Sequence, residues 1–250
     1  MYSSDSQSKL EISKQKISKS SLVLGISYIF IGIIVLTATI LFYLGFFAIY
    51  NLYIWDIYFV SLVLVLFIYA IIVIFKSIYF FKLSRGYDDF SSELSSLRNL
   101  HIGAAKDASK YIKIGTICEL ILTFLFPLIV FVILFLPLFF NIFLIPFVFF
   151  TLGFIEIRSV FSQLSKHEFY SGKFANFLLY SRISVFIAFS FYIYSAIGFL
   201  DEMISEAFTG TFNDSFLIWI LVAGIILFIS QVLLAKGFYD LSKDTRRITI

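Results

Sequence analysis

The sequence predicts an all-α protein: a polytopic membrane bundle of six transmembrane helices, arranged as three repeated hairpins with both termini cytoplasmic. Three observations lead there. Of the 250 residues 60% are apolar and 14% charged, with mean hydropathy +0.99, whereas a soluble domain carries about 25% charged residues. Six apolar runs reach or approach the roughly 20 residues that a helix needs to cross about 30 Å of hydrocarbon. All 19 Lys and Arg residues fall in segments that share one side of a membrane with the chain ends, and that bias sets orientation.

The elements follow in order. A cytoplasmic N-terminal segment, 1–21, carries Lys9, Lys14, Lys16 and Lys19. Its apolar neighbour is too long for a signal-peptide core, so it is expected to stay as helix 1. Hairpin 1 occupies 22–85 with crossings at 22–46 and 57–75, joined by an outer turn rich in Tyr50, Tyr53, Trp55 and Tyr58, the pattern of an interfacial aromatic belt. A cytoplasmic connection, 86–113, places Phe90, Leu94, Leu97, His101, Ala104 and Ala108 at approximate helical spacing, as expected of an amphipathic segment against the bilayer or the bundle. Hairpin 2 occupies 114–166 with crossings at 114–136 and 142–161; Pro137 and Asn141 fit its outer turn, Pro127 is placed to kink helix 3, and Pro146 lies in the first turns of helix 4. After a connection at 167–182, hairpin 3 fills 183–243 with crossings at 183–200 and 216–235, and 244–250 form the cytoplasmic tail.

The cations between crossings are Lys76, Lys82, Arg85, Arg98, Lys106, Lys110 and Lys113 in the first inner connection, Arg158, Lys166, Lys173 and Arg182 in the second, and Lys236, Lys243, Arg246 and Arg247 at the end. Each hairpin returns through a related sequence, Phe80 to Arg85, Phe161 to Lys166 and Phe238 to Lys243, with the shared form F-x-x-L-S-[KR], and a cation opens each at Lys19, Lys113 and Arg182. Phe and Leu three apart share a helical face, while Lys82, Arg85, Lys166 and Lys243 are placed for lipid phosphates or for partner contacts.

With these phased motifs, followed after a polar break by glycine-bearing helix starts such as Lys113-Ile114-Gly115, the chain resembles an archaeal family of polytopic membrane proteins known as domain of unknown function 973. The resemblance covers most of the chain and implies no activity, cofactor or residue roles.

Glu119 and Glu156 are the candidates for intramembrane chemistry, lying toward the inner ends of consecutive helices, where an acid is costly unless it meets water, a proton or a cation such as Lys113 or Arg158. Three readings stay open for this polar site: a structural pair, proximity to the aqueous boundary, or an ion or proton route. Cys118 has no positioned His, and His101 and His167 form no cluster, so the sequence offers no catalytic residue, metal site or cofactor motif. Asn213-Asp214-Ser215 is a glycosylation sequon in the outer turn before helix 6, read either as a modified asparagine or as an ordinary turn. Repeated hairpins, little extramembrane mass and no reaction constellation point first to an accessory or scaffold subunit of a plasma-membrane assembly. The alternative is a small-solute or ion transporter with polar access near Glu119 and Glu156, and third comes a lipid-modifying enzyme. The expected partners are membrane lipids and other membrane subunits or further copies of the chain; nucleic acid lacks a supporting motif.

Overall fold

The computed structural model describes residues 4–47, 52–98, 103–133, 144–165, 173–209 and 216–247. They form six helices, α1 (Ser4–Phe47), α2 (Leu52–Arg98), α3 (Gly103–Ile133), α4 (Leu144–Ser165), α5 (Lys173–Thr209) and α6 (Phe216–Arg246), with no strand among the described residues. Five of them, α1, α2, α4, α5 and α6, contain spans long and apolar enough to cross a membrane. Each helix packs on its chain neighbours, and α6 closes on α1, so the six form a ring in sequence order. The joins of α6 with α1 and with α5 are the most extensive, and that of α4 with α5 is the thinnest.

The helices run well beyond the lengths predicted for the crossings. Phe80, Leu83, Tyr87 and Phe90 are buried at spacings of three and four, so the apolar stripe of α2 continues past residue 86 to Phe90, and the helix itself to Arg98. Ala105, Ala108 and Ile112 do the same for the start of α3, and much of the 86–113 connection is therefore helix docked on its neighbours. α3 runs on through Pro127 to Ile133, and Pro146 falls in the first turn of α4, where a missing N–H costs no helical hydrogen bond. Lys166, Asn213, His101, His167, Tyr50, Pro137 and Asn141 lie outside the described residues, as do the side chains of Tyr53, Trp55 and Tyr58.

Two zones follow from where the apolar side chains point. Exposed large apolar residues run on α1 from Ile26 to Leu44 and on α2 from Val60 to Ile78. The eighteen helical rises between the ends of each run, at about 1.5 Å each, make a belt about 27 Å tall, close to the hydrocarbon thickness. Beyond it the helices continue into a base holding much of the buried core, including Leu10, Ile17, Leu83, Phe90, Ile112, Phe161 and Phe174. Water drives apolar burial in the base, whereas lipid tails leave apolar belt residues nothing to gain by turning inward. The start of α1 and the end of α6 meet in that base, where the Ser18 and Ser242 hydroxyls are 3.0 Å apart and Arg246 Nε donates to Ser18 Oγ at 2.8 Å. Ser84 Oγ donates to the Ser109 carbonyl at 3.0 Å, tying α2 to α3.

Glycine permits the close approach of α1 and α6. A Cβ on Gly25 would lie 3.0 Å from the Ala235 carbonyl oxygen, and one on Gly224 would lie 2.7 Å from Thr39 Cβ. The second clash involves the root of a side chain, which cannot swing aside. Gly224→Ala is therefore expected to destabilise the ring by about 1–3 kcal/mol, read as a lower unfolding temperature in mild detergent. Gly103→Ala, whose added methyl would meet nothing within 4 Å, is the control and should leave that temperature essentially unchanged or slightly raised.

Candidate functional site

Lys76 and Arg182, counted from the sequence among the boundary cations, are both inside the ring, 3% and 8% exposed. Apolar helix flanks each of them on both sides, so neither side chain reaches the surface once the neighbouring helices have packed. The Lys76 ammonium, on α2, donates to Glu119 Oε1 of α3 at 2.5 Å. It also lies 5.0 Å from the ring centroid of Tyr28 on α1 and 5.7 Å from that of Phe80, a cation–π arrangement that replaces part of its lost hydration. Arg182 of α5 reaches across to α4, its guanidinium carbon 5.5, 5.5 and 4.9 Å from the centroids of Phe147, Phe150 and Phe154, and it hydrogen-bonds the Tyr28 hydroxyl.

These groups share one level. Tyr28, Lys76 and Glu119 each lie two residues to the belt side of the point where the belt's exposed apolar run ends, at Ile26, Ile78 and Ile117, so the layer sits about 3 Å within the belt. On its base side a set of buried rings closes the centre. Tyr28 stacks on Phe238 at 5.6 Å, Phe80 meets Phe238 edge-on at 5.8 Å, and Phe154 meets Phe238 edge-on at 5.6 Å, while Phe150 leans on Phe80 at 4.7 Å. Phe80 of α2 and Phe154 of α4 thus both meet Phe238 of α6. In hairpin 2 the sequence motif starts instead at Phe161, two turns further along the same stripe, which packs edge-on against Phe174 at 4.7 Å.

The expected pairing of Glu119 with Glu156 is not what the packing produces. Gly153 lies against Ile112 and Gly115 against Phe149, an antiparallel register that puts Glu156 beside the level of Ser109 and Glu119 beside that of Pro146. The two acids are roughly ten residues apart along the axis, about 15 Å. Glu119 takes Lys76 rather than Lys113 or Arg158, whereas Glu156 is half-buried with Asp107 as its charged neighbour, and Arg158 is exposed. Of the candidate contact cations, Lys82, Arg85 and Lys243 are all exposed, with the Lys82 ammonium 4.7 Å from the Tyr79 ring centroid, while Phe80, Leu83, Ser84, Phe238, Leu241 and Ser242 of the same motif are buried. The motif is thus a packing face with a cation on its far side. Cys118 is unpaired and half-buried, and no three His, Cys, Asp or Glu side chains gather among the described residues.

The ionic layer is incompletely paired. Glu119 Oε2 and the Nε and Nη2 atoms of Arg182 are buried without a hydrogen-bond partner. Two cations and one carboxylate leave one positive charge in excess, at a depth where each ion is expensive to strip of water.

Fold and site together define a multi-pass helical membrane protein with a buried ionic layer at one rim of its apolar belt. The chain matches no known family model, no curated protein and no solved structure.

Breaking the pair from one side should be worse than removing it. Lys76→Met is expected to destabilise the bundle by about 3 kcal/mol by leaving Glu119 unpaired, and Lys76→Met with Glu119→Leu to recover most of that loss. Glu156→Gln should shift unfolding by less than about 0.5 kcal/mol. Thermal unfolding of the four proteins in one detergent checks the series.

Proposed function

We propose that the chain is a plasma-membrane transporter of a small solute or ion, with the Lys76, Glu119 and Arg182 layer as its binding level and both termini cytoplasmic. The observation that carries this is the set of unpaired buried atoms on Glu119 and Arg182, because charge left incompletely paired inside a belt is a costly feature for packing alone. The aromatic plug separates that layer from the base, and its phenylalanines come one from each hairpin, as expected if three parallel repeats rock against one another around a fixed site. The thin join of α4 and α5, bridged by Arg182, is the natural place for such movement. Binding would exchange the internal neighbours of Arg182 for a ligand, and displacement of Phe80, Phe154 and Phe238 would pass it to the base side.

One observation favours the scaffold reading. Between Val60 and Ile72 no described α2 residue is buried, and Val60, Val63, Leu64, Phe67, Ile68 and Ile71 make an apolar face open to lipid or to another membrane helix. A single preparation separates the two readings. Purified in mild detergent and reconstituted into liposomes, a transporter should move solute or charge as the isolated chain, and Arg182→Gln should abolish the flux. A reproducible stoichiometric assembly with a second membrane protein, together with sealed liposomes that pass nothing, would favour the scaffold.

Orientation has its own check. Cysteines at Lys243, which is exposed in the base, and at Ser215, the residue before α6 in the sequence, are expected to react with an impermeant maleimide from opposite sides, Ser215 from outside intact cells. Reaction of both from one side would refute the final crossing.

A further inference from the structure

Arg182 has its faces and edges used unequally. Phe147, Phe150 and Phe154 lie around the guanidinium and Tyr28 takes a hydrogen bond from it, yet Nε and Nη2 are both buried and unpartnered. Those two nitrogens lie on the same edge of the guanidinium and their N–H bonds point in parallel, which is the fork that accepts two oxygens of one carboxylate or phosphate group. Glu119 is the acidic group within electrostatic reach of Arg182 among the described residues, and its Oε1 already accepts from Lys76. The side chain is only 8% exposed, so bulk water does not satisfy the fork, and the layer still carries its excess positive charge. We infer that the unused edge of Arg182 is a binding site for an oxyanion that presents two oxygens, either a small free carboxylate or phosphate or the phosphate of a lipid headgroup reaching in between α4 and α5. This rests on the transport reading by naming its substrate class, but it can be tested without flux.

The test is equilibrium binding to the purified full chain in mild detergent, with sodium acetate and inorganic phosphate as probes and sodium chloride as the ionic-strength control, read by thermal shift and calorimetry. Saturable stabilisation by acetate or phosphate beyond that of chloride is expected, weakened roughly tenfold or more by Arg182→Lys, which keeps the charge and removes the fork. Lys76→Met with Glu119→Leu removes both the competing carboxylate and the other cation of the layer while keeping most of the stability, so it should still bind the same probe. It carries the test if Arg182→Lys fails to fold, in which case loss of saturable binding overturns the inference. The lipid source is distinguished by native mass spectrometry, where phosphatidylglycerol retained by the unaltered chain and lost from Arg182→Lys identifies a headgroup. An equal response in Arg182→Lys, or no saturable response with no Arg182-dependent lipid, overturns it. Cation flux in liposomes without oxyanion binding would keep the transport reading and remove this one, and binding without flux would do the reverse.

Discussion

The ion pair of Lys76 with Glu119 constrains the rest of the ring more than any other contact. A lysine ammonium that is 3% exposed has given up its water, and unit charges at this depth interact strongly enough to dictate who stands beside them. α2 and α3 must therefore be held in register at this level. Tyr28 and Phe80 must supply ring faces to the ammonium. The phenylalanine plug is the other half of the arrangement, since it separates these charges from the base by rings instead of by water.

The bundle is stabilised by different forces along its length. In the base, apolar burial in water fixes Leu10, Ile17, Leu83, Tyr87, Phe90 and Phe174, and serine hydroxyls tie α1 to α6 and α2 to α3. In the belt the surrounding tails are as apolar as the side chains, so close glycine contacts and hydroxyl-to-carbonyl bonds hold the helices. Examples are Gly224 on Thr39, Ser195 on the Phe216 carbonyl and Ser230 on the Ser181 carbonyl, the last two both 2.8 Å. The split explains why α2, well buried in the base, shows no buried described residue from Val60 to Ile72.

The helical membrane architecture was legible from runs of apolar residues, because their length answers directly to bilayer thickness. The ends of the helices were not, since hydropathy stops at the water boundary while the packing stripe through Leu83, Tyr87 and Phe90 does not. Glu119 stood out as an acid at depth, but its partner did not, because Lys76 and Arg182 each lie at the margin of an apolar run and there look like boundary cations. The signal that marks them is apolar sequence on both sides, Ile74-Phe75 before and Ile78-Tyr79-Phe80-Phe81 after Lys76, and Leu178-Leu179-Tyr180 before and Ile183 after Arg182. The plug residue of hairpin 2 was missed for a related reason. Phe154 and Phe161 stand seven apart on one stripe, and only the facing helices decide which of them reaches the axis.

The closure of the ring by α1 and α6 has a mechanical consequence. Packing is thinnest between α4 and α5, where the chain itself is continuous, and is extensive between α1 and α6, which belong to opposite ends of the polypeptide. Covalent linkage and packing thus take turns: the backbone bridges the weak join, and noncovalent contact bridges the one place the backbone cannot. A nick between α4 and α5 would leave two fragments still clasped along the length of α1 and α6, from Ser18 with Ser242 and Arg246 to Thr39 with Gly224.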